Sequence, residues 1–219
     1  MRRLSALISF GLILFAMSGW TNGQGMMNYT VNINFDRGNV SPTGGKIFTD
    51  YTEQGFRFFG DFAISGGFES NPGFPRNGGP YAYAFFDSFV SIMPVNGVPF
   101  YLVSADLAEF STLYAQPRTV EFVGYRADGS VVTIRFTTDG IIDGAGPLAD
   151  FETFHFDASW SYLLRVDVPS TTYSMDNLVL GIPEPSAPVL WLLGAAALWG
   201  FRPSRPRPPQ GSGSGKNWR

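Results

Sequence analysis

Residues Thr119 to Thr138 constrain this chain more than any other stretch. Val120, Phe122 and Gly124 run along one face up to a turn at Ala127-Asp128-Gly129-Ser130, and Val132, Ile134 and Phe136 run back. Alternation of period two marks a strand with one buried face. Asp-Gly supplies a residue free to take positive φ where the chain reverses. The stretch is predicted to be a β-hairpin.

The same period recurs along the chain. Asn28 to Phe35 places Tyr29, Val31, Ile33 and Phe35 on one face, with Thr30, Asn32 and Asn34 on the other. Gln54 to Phe59 and Phe62 to Ser65 read as short strands separated by Gly60-Asp61. Glu69 to Pro80 (ESNPGFPRNGGP) has the composition of a loop. Tyr81 to Phe86, Phe100 to Asp106, Phe151 to Phe156, Tyr162 to Val168 and Tyr173 to Leu180 add further strands. Many short strands, no amphipathic helix and 26 glycines predict an all-β fold. The expected architecture is an antiparallel two-sheet sandwich, jelly-roll-like, with an immunoglobulin-like sandwich as the second choice.

Both ends read differently from the middle. Arg2 and Arg3 precede an apolar stretch from Leu4 to Met17. Ala16 and Ser18 put small residues at the minus-three and minus-one positions of a cleavage site. Residues 1–25 are thus expected to be a signal peptide, removed by signal peptidase, and a short linker. Residues 26–181 form the sandwich. Residues 182–207 open on Pro183-Glu184-Pro185, continue with an uncharged apolar run from Val189 to Phe201, and close on Arg202, Arg205 and Arg207. The prolines cannot donate backbone hydrogen bonds, and the arginines suit a stop-transfer signal. Counted from Ile182, the run is about 20 residues, just enough to cross a bilayer core as a helix. By length alone a plain C-terminal anchor or a buried core helix fits as well. Residues 208–219 (PPQGSGSGKNWR) have the composition of a disordered tail.

The order Pro183-Glu184-Pro185-Ser186, apolar run, arginines closely resembles the C-terminal sorting signal of PEP-CTERM proteins. The resemblance implies that an exosortase, a membrane-embedded cysteine protease, removes the C-terminal helix. The chain would then pass from an inner-membrane intermediate to the outer surface or extracellular matrix of a Gram-negative, exopolysaccharide-producing bacterium. The tail beyond Arg207 is longer than the family's usual basic end. The body is similar to the cargo of many such proteins, in Asn34-Phe35-Asp36, Tyr51 to Phe59, Val103 to Ala108, Val123-Gly124-Tyr125 and Ser174 to Leu178. That likeness implies a galactose-binding-like or lectin-like jelly roll.

Composition narrows the partners. Between Met26 and Ile182 stand 12 Asp and 5 Glu against 7 Arg and 1 Lys, a net of nine negative charges that the whole-chain value of −3 conceals. A body this acidic does not bind nucleic acid by counterion release. It suits divalent cations, neutral polymers or simple solubility. The chain has no cysteine, so neither a disulfide framework nor a lipoprotein route is open.

Candidate sites are few. In carbohydrate-binding jelly rolls that the body resembles, an Asp-Asn pair of the closing strand meets an acid of the first strand around a structural Ca²⁺. Here these are Asp176, Asn177 and Asp36, which equally suit local turn capping. Aromatic side chains that could stack on a sugar ring are Phe74, Tyr81 and Tyr83, with Tyr114 and Trp160 as exposed-looking additions. Core packing is the competing role for most of them. His155, the single histidine, shares a face with Thr153 and Asp157 and reads as solvated. No nucleophile elbow, zinc spacing or phosphate loop is present, so the chain is read as non-catalytic. Glycoside hydrolysis stays a remote alternative, since no spacing nominates a carboxylate pair. The expected function is that of an exported surface or matrix protein, associated with biofilm exopolysaccharide. The alternative is a lectin-like module that binds carbohydrate.

Overall fold

The computed structural model describes residues 28–183 apart from 42–43, 67–72, 86–87 and 145–149. The signal peptide with Ala16 and Ser18 lies outside the described residues. So do Glu184 and Pro185 of the sorting motif, the apolar run, the arginines at 202, 205 and 207, and the tail. Among the described residues no helix is long and apolar enough to cross a membrane.

Among the described residues the fold is an antiparallel sandwich of eleven strands. One layer runs β2 (Gly45–Glu53), β3 (Phe56–Ser65), β5 (Val90–Pro94), β10 (Leu163–Val168), β7 (Thr119–Arg126), β8 (Val131–Thr137). The other centres on β11 (Tyr173–Pro183), which pairs on one edge with β6 (Tyr101–Glu109), itself flanked by β9 (Glu152–His155). The opposite edge of β11 is shared. Its second half pairs with β1 (Asn28–Ile33), and its first half with β4 (Tyr81–Ala84). β4 also pairs with the last residues of β3, so the layers are joined at that corner.

The core lies between the layers. Ile33, Leu107, Leu178 and Leu180 from one side meet Phe56, Phe58, Ile92, Phe122 and Val166 from the other, all without solvent exposure. Edge-to-face ring pairs hold parts of it together, such as Phe56 with Phe100 at 5.3 Å and Phe122 with Phe156 at 5.1 Å.

The hairpin of β7 and β8 stands as expected, with Thr119 opposite Thr137 and Tyr125 opposite Val131. Elsewhere the strands differ from the expectation. Gln54 and Gly55 form the turn between β2 and β3 rather than opening a strand. β3 is continuous through Gly60-Asp61, and Gly60 marks its change of partner. Up to Gly60 it pairs with β5, and from Ala63 with β4. At Gly60, φ is +136°, and any Cβ would collide with the Phe89 carbonyl oxygen. Only glycine fits there.

Candidate functional site

Asp176 of β11 and Asp106 of β6 are register partners and project on the side of the sheet away from the main core. Immediately after Asp176 the register slips by one residue, a bulge at Asn177, whose φ of 44° is left-handed. The bulge turns the Asn177 amide to the side of Asp176. Its Nδ2 donates to Asp106 Oδ2 at 2.9 Å, and its Oδ1 accepts from Asn32 at 3.2 Å. Thr153 donates to Asp106 Oδ1 at 2.6 Å, and Asn77, from the loop across the face, donates to Asp176 Oδ2. Asp176 Oδ1 is buried and has no partner among the described residues. Burial pushes the Asp176 carboxyl up to about 8, and the charges of Asp106 and Asp36 add to this, against hydrogen bonds from the Asn177 backbone and Asn77.

The expected calcium ligands Asp36, Asp176 and Asn177 are thus neighbours, and a side-chain amide donates to one oxygen of each: Asn34 to Asp36 at 2.5 Å, Asn77 to Asp176 and Asn32 to Asn177. Asp36, Asp106 and Asp176 do not bring three carboxylates to a common point. Among the described residues only Glu109, Asp139 and Glu152 do so.

The stacking candidates divide. Tyr81 is wholly buried against Phe151, with ring centres 5.3 Å apart, so it presents no face to a ligand. Trp160, 1% exposed, is likewise interior, packed on Phe156 at 4.9 Å. Tyr83 and Phe74 are half-buried in a cluster about Phe110, at 5.5 and 5.8 Å, which Tyr114 joins at 6.0 Å. His155 is exposed, as are Thr153 and Asp157.

An open cleft lies elsewhere, at the start of β6. It encloses about 440 Å³ between Tyr101–Val103, Phe156–Ala158, Trp160–Tyr162 and Pro183. Phe100 and Leu163 form an isolated bridge, exchanging backbone hydrogen bonds of 2.9 and 2.8 Å, so the next residues, Tyr101 and Tyr162, are cross-strand neighbours. The Tyr101 ring lies against the Gly181 backbone. Tyr162 is 51% exposed and takes a φ of 57°, unusual for an aromatic residue. Its carbonyl accepts from Ala127 at 2.9 Å, which holds it there. Asp157 supplies charge: hydrogen bonds from Ser159 hold its carboxyl below the usual range, with Arg126 a smaller influence. The sequence singled out Trp160, which underlies this cleft, but not Tyr101 or Tyr162. Both read as ordinary strand residues, and only their cross-strand register shows them to be neighbours.

The chain matches no protein-family model, and no curated protein matches it. Among solved structures, a family 29 carbohydrate-binding module complexed with mannohexaose aligns at 10% identity over 70% of this chain and 92% of that one, with a TM-score of 0.36. A family 11 carbohydrate-binding module from Clostridium thermocellum, in complex with a β-1,3-1,4-mixed-linked tetrasaccharide, aligns at 8% identity over 64% and 96%, with a TM-score of 0.28.

Proposed function

We propose that this protein is an exported, non-catalytic β-sandwich that binds polysaccharide in the cleft between Tyr101 and Tyr162. Pro183, Glu184 and Pro185 mark it for exosortase sorting to the cell surface or matrix. The observation that carries the binding reading is Tyr162, a half-exposed ring held in left-handed backbone at the rim of a concave site. Strained residues persist where the fold over-determines them, and they cluster at ligand sites. Tyrosine faces stack on the apolar faces of sugar rings, while a few polar groups orient the hydroxyls. Asp157 and Ser161 are the polar side chains suited to that task here, beside the half-exposed Tyr162. Asp157 is the one acid among the lining residues, whereas glycoside hydrolysis generally takes two.

Sorting is supported by the tail's order of motif, apolar run and arginines. Affinity electrophoresis of the purified protein through gels containing soluble polysaccharides tests the binding reading. Retardation by at least one polysaccharide, lost in Tyr162→Ala, is the expected result, and unaltered migration in all of them overturns it.

A further inference from the structure

Three carboxylates meet at the end of β6 far from the cleft. Glu109 closes β6, Glu152 opens β9 opposite Leu107, and Asp139 follows β8. One carboxylate oxygen from each lies within 4.8 Å of the others. The Asp139 segment is fixed in place. Thr138 donates its N–H to the Arg118 carbonyl at 3.0 Å, and its hydroxyl accepts from the Arg118 N–H at 3.0 Å. Gly140, at φ +86°, abuts Pro117, where a Cβ would come within 2.6 Å of the proline ring.

Backbone and hydroxyl donors satisfy part of the cluster. Glu109 Oε1 accepts from the Gly140 N–H at 2.8 Å and from the Thr138 hydroxyl. Glu152 Oε1 accepts from the Asp139 N–H at 2.8 Å, and Asp139 Oδ1 from the Ile141 N–H at 2.8 Å. Glu109 Oε2 is left over. Glu109 has no solvent exposure, and this oxygen has no hydrogen-bond partner among the described residues. No cation compensates: the ion pairs among the described residues are Arg57–Asp50, Arg135–Glu121 and Arg165–Asp167. A buried, unpaired carboxylate is costly unless a proton or a metal ion neutralises it.

We propose that Glu109, Asp139 and Glu152 form a calcium site. All the donors are hard oxygens. They come from a strand end, a strand start and a turn, an irregular set that Ca²⁺ accepts and that Mg²⁺, which demands a near-regular octahedron, does not. The ion would bind Glu109 Oε2 together with the free oxygens of the two outer carboxylates.

The test uses the full chain purified in detergent and stripped with EDTA. Calorimetric titration with calcium chloride should show one equivalent bound, and calcium should raise the melting temperature. Glu109→Gln should weaken binding by about tenfold or more, since affinity follows the number of charged ligands. Should that variant fail to fold, Glu152→Gln at the half-buried edge is expected to do the same. Asp176→Asn, in the other acidic cluster, should leave calcium binding unchanged. Absence of heat with an unchanged melt, wild-type affinity in both glutamate variants, or loss of binding in Asp176→Asn would overturn the site. An equal rise with magnesium would overturn its assignment to calcium.

Discussion

Asp176 and Asp106 face each other in register across β11 and β6, each only 4% exposed, with the Asn77 and Asn177 amides and the Thr153 hydroxyl closing around them. Burial moves the Asp176 carboxyl up to about 8, and the neighbouring Asp106 charge adds to this.

A pH dependence follows. The folded protein holds a proton on Asp176 that the unfolded chain, with an ordinary value near 3.8, releases early. This contribution is therefore fully present below about pH 4 and is lost as pH rises towards about 8. Asp176→Asn keeps the neutral form at every pH. The variant should melt with less loss between pH 5 and pH 8 than the wild type, as measured by circular dichroism at fixed ionic strength.

Gly60→Ala should be among the most damaging single changes. The added methyl meets the Phe89 carbonyl, and the backbone angle is open essentially to glycine alone. Steric and conformational strain together should cost about 3 kcal/mol or more, read as a lower urea midpoint.

Trp160→Ala removes the largest wholly interior side chain and leaves Phe156 without its partner at 4.9 Å. A loss of about 3–5 kcal/mol in equilibrium unfolding is expected for a cavity of this size.

These positions show how far the sequence could be read. The hairpin and the long alternating strands were legible because each carries its own period and turn. β2 was not, because it is an edge strand with Ile47 64% exposed and its buried side chains confined to Tyr51 and Glu53. β5 is five residues long, ends in Pro94 and has four buried positions, so no alternation marks it. The acid–amide cluster was partly visible in Asp36, Asp176 and Asn177. Asp106, Asn77 and Thr153 join it only through strand pairing and loop packing, and no local pattern announces them. Glu109, Asp139 and Glu152 are likewise brought together by topology alone.

Sorting is testable in the cell. Replacing Pro183, Glu184 and Pro185 together by alanine should leave the protein at its unprocessed C-terminal mass in the membrane fraction. The wild type should appear outside the cell without the segment after the motif. Mass spectrometry of intact protein from both fractions reads the difference, and equal masses in the two strains would contradict the assignment.

The central claim is that Tyr162 and its cleft hold a polysaccharide. Truncating a half-exposed ring should leave the melting temperature within about a degree, since surface changes seldom alter stability by more than about 0.5 kcal/mol. The most direct measurement is therefore a glycan array probed in parallel with the wild type and Tyr162→Ala. The account predicts retention of the wild type on a defined glycan class and loss of that signal in the equally stable variant. A silent array, or a variant that binds the same glycans as strongly, contradicts it.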